Sequence, residues 1–546
     1  MYKYYKFNLM NNSFKYFALF LLLVAMTGCT ADDIVQAGGT LPDETPMNSV
    51  GGQLHSGKTF SNMITVSMYQ DDGPATEEII YTLTKPATTP VTIKAVSSPE
   101  LVAKYNSDNS TEMKEFPIEN VTFENGGSLT VPTGKKISEN ISITLSPEGL
   151  ETGTLYLLAI TLERDFAGID VQAAKQVVYY RIIFREKITT CMPEYDPIEI
   201  PPLMPDLTSV FYVNTETYQP LIAGVVGVWV DYWQFFSLGN IVNLKKATID
   251  YDASSGHTLL QLGSDLSYVL EHKDKYIRHL QENDRKVCLC IENGSQGIGF
   301  CNMNTTQIID FVRQVKNAVE RYQLDGVNLW DDDNKYGKSG MPAMNTTSYP
   351  KLIKALSDAM PEKLLTVVDK GNATEYFYDV AQCGGIEVGK YIDYAWHGYV
   401  SPTEDLQIIN PNAEGSAQAY SKYTRKPIAG LDEAHYGNVN VPCYNDNNPE
   451  IRNIASKAIA QWRSSGNKKN NIIVYGSDLI GKEYGGYEGA IETMVGDVSL
   501  LQFMDNGNGW DFDMDDFTWG DATYMGIFLD NTLNAGPDLN TYRKDW

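Results

Sequence analysis

The segment Asp325-Gly-Val-Asn-Leu-Trp-Asp-Asp-Asp333 gathers side chains that do chemistry at alternating positions. In an extended strand, residues 328, 330 and 332 share one face, while 331 and 333 point to the other. The first face presents an amide (Asn328), an indole (Trp330) and a carboxyl (Asp332). Asp332 can donate a proton or accept hydrogen bonds, Asn328 can do both with a hydroxyl, and Trp330 offers a flat apolar ring with one N–H donor. Such a set suits a polyhydroxylated ligand. Metal chemistry finds no support: no His, Cys and carboxylate cluster has zinc spacing. The acidic run Asp511, Asp513, Asp515 and Asp516 lacks the glycine and terminal glutamate of a calcium loop. No dinucleotide fingerprint is present and no cofactor is expected.

Positioning these residues falls to an amphipathic helix, Thr306 to Arg321, with Ile308, Ile309, Phe311, Val312, Val315 and Val319 on its apolar side. It runs into a buried strand, Leu324 to Trp330, and the acidic cluster leaves that strand as a loop. A parallel α/β barrel keeps its chemistry at the C-terminal ends of its strands. From Leu207 onward strand and helix patterns alternate as such a fold requires. Val210 to Val213, Trp233 to Phe236 and Val287 to Ile291 are strand candidates, as is the stretch following Met360. Ile392 to Tyr399 comes next. Pro427 to Leu431, followed by Asp432, Glu433 and His435, reads as the seventh strand with its loop, and Ile472 to Tyr475 as the eighth.

The 325–332 segment resembles the fourth strand of glycoside hydrolase family 18, D-G-x-D-x-D-x-E, and more narrowly the endoglycosidase H branch of endo-β-N-acetylglucosaminidases. Asp325, Gly326 and Val327 match, whereas Asn328, Trp330 and Asp332 stand where the family has Asp, Asp and the catalytic Glu. Asn293-Gly-Ser-Gln-Gly-Ile-Gly-Phe-Cys-Asn302 resembles the family's third-strand loop, and Ile392-Asp-Tyr-Ala-Trp-His-Gly-Tyr399 its sixth strand. The resemblance implies a (β/α)8 barrel over residues 207–490 and aromatic contacts from Tyr394, Trp396 and Tyr399. It also implies substrate-assisted hydrolysis, in which the acid protonates the leaving oxygen and the sugar's own acetamido carbonyl attacks the anomeric carbon. The departures weaken that chemistry. Asp332 reaches about one methylene less far than Glu, and an error of about 1 Å can cost on the order of a hundredfold in rate. An indole at 330 has no acceptor with which to orient an acetamide N–H.

The remaining chain frames this module. Lys3, Lys6 and Lys15 precede the apolar run Tyr16 to Ala25, which ends in Met26-Thr-Gly-Cys29. That order resembles a bacterial lipoprotein signal peptide (residues 1–28) with Cys29 as the acylated residue, placing the protein on the outer membrane at the cell surface. Residues 29–57 read as a flexible tether. Residues 58–187 show short alternating runs separated by turns and predict an antiparallel β-sandwich domain. The runs are Met63 to Tyr69, Glu78 to Thr84, Val91 to Val96, Ile141 to Leu145, Leu155 to Leu162 and Gln176 to Phe184. The block resembles the sandwich preceding family 18 modules in surface lipoproteins of glycan-utilisation loci, where spacer is the first role and accessory binding the second. Residues 188–206, with Pro193, Pro197, Pro201, Pro202 and Pro205, form a semi-rigid linker, and 207–546 the barrel with its C-terminal tail. Of the 7 cysteines, Cys288 and Cys290 lie on one strand face, where packing is expected before bonding. A formal net charge of -26 excludes nucleic acid as a partner.

The expected fold is therefore a β-sandwich followed by an α/β (TIM) barrel. The expected function is a lipid-anchored surface protein that binds N-acetylglucosamine-containing glycans, N-glycans foremost, through Asn328, Trp330, Asp332, Tyr394, Trp396 and Tyr399. The second function is an active endo-β-N-acetylglucosaminidase with Asp332 as acid. A third, a structural partner of an outer-membrane glycan transporter complex, implies no glycan affinity.

Overall fold

The computed structural model describes residues 50–70, 72–163, 169–170, 176–186, 200–203, 208–230, 234–237, 239–252, 256–331, 335–396, 407–408, 426–437, 439–440, 472–476, 523–527 and 542–546. The signal peptide, Cys29 and nearly all of the tether lie outside the described residues, as does most of the tail after Gly476.

Two sheets build the first domain. One carries Val50–Ser56, Ala75–Leu83, Ile141–Leu145 and Val121–Phe123 in that spatial order. The other carries Met63–Tyr69, Val178–Arg185, Leu155–Leu162, Val91–Ser97 and Ser128–Val131. Alternation explains the packing: Val178, Tyr180, Ile182 and Phe184 are buried, and the residues between them are half-exposed. Two details differ from the sequence expectation. The first strand, Val50–Ser56, falls within the stretch read as tether, because Gly51 and Gly52 hid its alternation. The sandwich is also not wholly antiparallel, since Met63–Tyr69 pairs in parallel with Val178–Arg185.

The second domain is barrel-like. Parallel strands run in the order Val439–Asn440, Ile472–Gly476, Thr208–Asn214, Ile241–Asp252, Lys286–Asn293, Gly326–Leu329, Leu364–Val368, Tyr394–Trp396 and Tyr436–Gly437. The two ends of this row, Tyr436–Gly437 and Val439–Asn440, are separated in sequence by Asn438 alone. Helix Thr305–Tyr322 packs against helix Ser348–Ala359 outside the row. Ile309, assigned to the buried face of that helix, is 65% exposed.

Strand assignments were displaced in two places. The second parallel strand is Ile241–Asp252, whereas Gln234–Ser237 pairs antiparallel with Val226–Val230. The seventh begins at Tyr436, so Asp432, Glu433 and His435 precede that strand instead of following it. Residues 427–431 form no strand; the chain turns at Ala429 and Gly430, the latter at φ 85°.

The sandwich is docked on the barrel-like domain and does not hang from its linker. Lys58 Nζ lies 3.0 Å from Glu77 and 2.9 Å from Glu271, and Arg321 grips both carboxylate oxygens of Glu78 at 3.0 and 3.1 Å. Ser67 Oγ donates to the Ser264 carbonyl (2.8 Å), Tyr69 meets Tyr268 edge-on, and Asn317 donates to the Lys58 carbonyl. Burial opposes the Lys58 ammonium, but the two carboxylates outweigh it and raise its pKa.

Candidate functional site

The site strand, Gly326–Leu329, is set by what precedes it. Asn304 and Gln307 form a reciprocal capping box at the start of helix Thr305–Tyr322, each side chain bonding the other's backbone N–H at 2.9 Å. The helix stops at Gln323 in the left-handed conformation. Asp325 then fixes the strand's entry, its carboxylate accepting from Val287 N (2.9 Å) and Gln281 Nε2 (2.8 Å). At 326 only glycine fits, because a Cβ would lie 2.1 Å from the Leu364 carbonyl oxygen.

Along the inward face, Asn328 is fully buried and both ends of its amide are engaged. Its Oδ1 accepts from Tyr212 Oη (3.1 Å) and Cys290 Sγ (3.4 Å), and its Nδ2 donates to Thr366 Oγ1 (2.9 Å). Tyr212 also accepts from Trp396 Nε1 at 2.8 Å. Burial, reinforced by Cys290, pushes the Tyr212 phenol well above its ordinary value, so it stays a donor to Asn328.

Trp330 continues that face beyond the strand's last pairing. It is 2% exposed, with the Tyr212 ring edge-on at 5.2 Å and Lys245 Nζ 4.6 Å from its centroid. Lys245 in turn lies 3.0 Å from Glu292 Oε1. The indole Nε1 is buried without a hydrogen-bond partner.

Asp331 takes the opposite direction. Its Oδ1 accepts from Asn293 Nδ2 (2.6 Å), and its Oδ2 from Tyr336 Oη (2.7 Å) and Cys301 Sγ (3.4 Å). Tyr336 also accepts from Cys301 N at 2.8 Å. Burial first, then the Asp331 charge, raises both Tyr336 and Cys301, which keeps their protons in place as donors. The network pins the glycine-rich loop 293–302 to the site strand's exit. A Cβ at Gly299 would lie 2.5 Å from Asn293 Oδ1 and 2.7 Å from Tyr336 Oη, so a side chain there would disturb this network. Asp369, after the fifth strand, is likewise engaged, accepting from Thr374 Oγ1 (2.6 Å) and Tyr436 Oη (2.8 Å).

The structure thus brings Asn328, Trp330 and Trp396 together around Tyr212. It encloses all three, with Trp396 and Asn328 fully buried, so the indole faces expected to stack on sugar are turned into packing. Alternation names a face without saying how deep in the barrel it lies. Tyr394 begins its strand at the register of Thr366, and its half-buried ring lies 4.9 Å from that of His435. Asp332, Tyr399 and His397 lie outside the described residues. Sequence reasoning missed Tyr212, Lys245, Glu292 and Asp369. The first was detectable from alternation in Val210 to Val213; Lys245 was hidden by assigning the second strand to 233–236. Among the described residues, no cluster of His, Cys, Asp and Glu is suited to a metal, and Cys288, Cys290, Cys301 and Cys383 are free thiols.

Comparison with known proteins adds four findings. A family model described as a "-like, N-terminal domain" matches residues 53–165. The chain is similar to endo-β-N-acetylglucosaminidase F1 of Elizabethkingia meningoseptica, 30% identical over 165 residues, which is 30% of this chain and 48% of that protein. It is also similar to an endo-β-N-acetylglucosaminidase of Flavobacterium sp. (strain SK1022), 31% identical over 189 residues, 34% of this chain and 52% of that protein. The chain spans about half the length of these curated relatives. Among solved structures, Bacteroides thetaiotamicron EndoBT-3987 with Man5GlcNAc product aligns at 19% identity and a TM-score of 0.36, covering 78% of this chain and 89% of that one.

Proposed function

We propose that this protein binds N-acetylglucosamine-containing glycans, N-glycans foremost, through a (β/α)8 barrel of family 18 type whose hydrolytic motif is degenerate. It does so as a lipoprotein held at the outer-membrane surface through Cys29. In this reading Asp332 and Tyr399, with Tyr394, contact the sugar over a floor built from Asn328, Trp330 and Trp396. Similarity to endo-β-N-acetylglucosaminidases supports the ligand class. One observation carries the non-catalytic part. At 328 and 330, where substrate-assisted hydrolysis needs carboxylates, stand an amide with both ends engaged and an enclosed indole. Neither can offset positive charge developing at the acetamido group or the anomeric carbon. Asp331 cannot replace them, because both its oxygens already accept from the loop 293–302 and Tyr336.

The second reading, a slow endo-β-N-acetylglucosaminidase with Asp332 as general acid, is supported by the same similarity. Incubating the purified protein with a high-mannose glycoprotein separates the two. Retention of the glycoprotein without release is expected; prompt release of glycan bearing a single N-acetylglucosamine refutes the binding reading. No affinity for any glycan would leave a structural partner of a transporter complex.

A further inference from the structure

Between the sandwich and the barrel-like domain lies a cleft of about 290 Å³, on the side of the molecule formed by their docking. Its sandwich wall is Met63–Tyr69, the outermost strand of its sheet, with the start of Ala75–Leu83; its barrel wall includes Leu260, Leu262 and helix Ser264–Glu271. Met63, Leu260, Leu262 and the Tyr268 ring make much of the lining apolar. Its charged side chains are out of balance: Lys58 is basic, whereas Asp72, Glu77 and Glu271 are acidic, with His272 exposed beside them. The one ammonium is shared, at 3.0 Å from Glu77 Oε1 and 2.9 Å from Glu271 Oε1. Glu77 is 5% exposed, and its Oε2 has no hydrogen-bond partner among the described residues. Buried polar atoms are almost always paired, so an unmet carboxylate oxygen on a cavity wall marks a place for a donor. Burial first, with the Glu271 charge adding to it, raises the Glu77 pKa in spite of Lys58, as befits a carboxylate short of counter-charge. The terminal carboxyl torsion is broad, which lets Oε2 turn toward a guest without moving the backbone.

We infer that this cleft binds an organic ammonium ion, a primary amine with a short apolar body, whose N–H groups donate to Glu77 Oε2 while its carbons lie against Met63, Leu260 and Leu262. A bare metal ion is a poor guest, since among the described residues no group of His, Cys, Asp and Glu is suited to hold one. An anion would face three acids with one base between them. A neutral alcohol of the same shape would fill the space but leave the excess negative charge unpaired. Because both domains contribute walls, an occupant also favours their docked arrangement over a separated one. The site is distinct from the glycan-binding reading and does not depend on it.

The test is calorimetric titration of the whole protein with cyclohexylammonium and, as a neutral ligand of matched shape, cyclohexanol. The ammonium is expected to bind at one site per chain, and the alcohol about tenfold more weakly or less, the scale of one charge-assisted hydrogen bond. Glu77→Gln keeps the side chain's shape and removes its charge, and should weaken ammonium binding by about tenfold. Should Glu77→Gln not fold, Glu271→Gln serves instead: its side chain is 39% exposed, and the substitution removes one of the two carboxylates that share Lys58. It should weaken the ammonium by about fivefold, as expected for a more distant charge, and leave the alcohol unchanged. Equal affinity for cyclohexylammonium and cyclohexanol overturns the inference, because the cleft is then only an apolar hole. Ammonium binding that the variants do not change overturns it too, since the amine then sits elsewhere on this acidic chain. So does an absence of ammonium binding up to about 10 mM.

Discussion

Replacing Lys58 by methionine removes the cation on which the domain seam is built. Its side chain is 8% exposed and that of Glu77 7%, so the variant leaves an interior carboxylate without its paired cation and with only the more distant charge of Arg321 to offset it. One oxygen of Glu77 already lacks a hydrogen-bond partner, and the second loses its only charged one. Glu271 suffers less, being 39% exposed and also bonded by Tyr322 Oη at 2.7 Å. Breaking a buried pair from one side costs about 3–5 kcal/mol. Protonation limits that cost: burial already raises the Glu77 pKa, and loss of Lys58 raises it further. A carboxyl whose folded pKa exceeds its unfolded one contributes stability at low pH that is lost as pH rises. The penalty should therefore be about 3 kcal/mol or more at pH 8 and shrink on acidification by up to about 1.4 kcal/mol per pH unit. Lys58→Met with Glu77→Leu should return to within about 1 kcal/mol of wild type, because a buried ion pair adds little over apolar packing. Urea unfolding followed by circular dichroism at several pH values gives these differences. A single-variant penalty below about 1 kcal/mol at pH 8, or one that does not change with pH, refutes the reasoning.

Trp330→Asp combined with Asp332→Glu is expected to raise endoglycosidase activity on a high-mannose glycoprotein; no gain in a folded variant would mean that the cleft itself has been remodelled. Gly326→Ala drives a methyl against the Leu364 carbonyl and should destabilise by about 3 kcal/mol, read as a lowered midpoint in the same unfolding assay. His55 is held down to about 3, chiefly by burial and then by Arg313, and so stays neutral in the folded protein. Its unfolded form takes up a proton near pH 6.5, so stability should fall as pH drops from there toward 3, by up to about 1.4 kcal/mol per unit. His55→Asn should flatten that slope, measured as midpoint against pH; an unchanged slope would assign the acid sensitivity elsewhere.

Much of this was legible in the chain. The helix feeding the site strand declared itself through the spacing from Ile308 to Val319, and the alternation at Tyr179 to Phe184 marked a sandwich strand. The placement of Asp331 away from Trp330 also follows from strand period alone. What escaped depends on long-range packing. Tyr212 joins Asn328 and Trp396 from 116 and 184 residues away, and no local pattern announces that meeting. Strand edges beside Gly and Pro misled as well: Gly51 and Gly52 concealed the first strand, and an apolar run at Pro427 to Leu431 imitated the seventh.

The docked sandwich has a bearing on how the protein can be divided. Helix Thr305–Tyr322, whose C-terminal turn delivers the chain into strand Gly326–Leu329, is clasped along one flank by Glu78, Lys58 and Phe60. Cutting the protein at the proline-rich segment would strip that flank and take Tyr69 from the edge of the Tyr268 ring. The N-terminal module is thus better regarded as a splint for the barrel-like half than as a detachable stalk, and an excised barrel would lack the bonds that brace this helix.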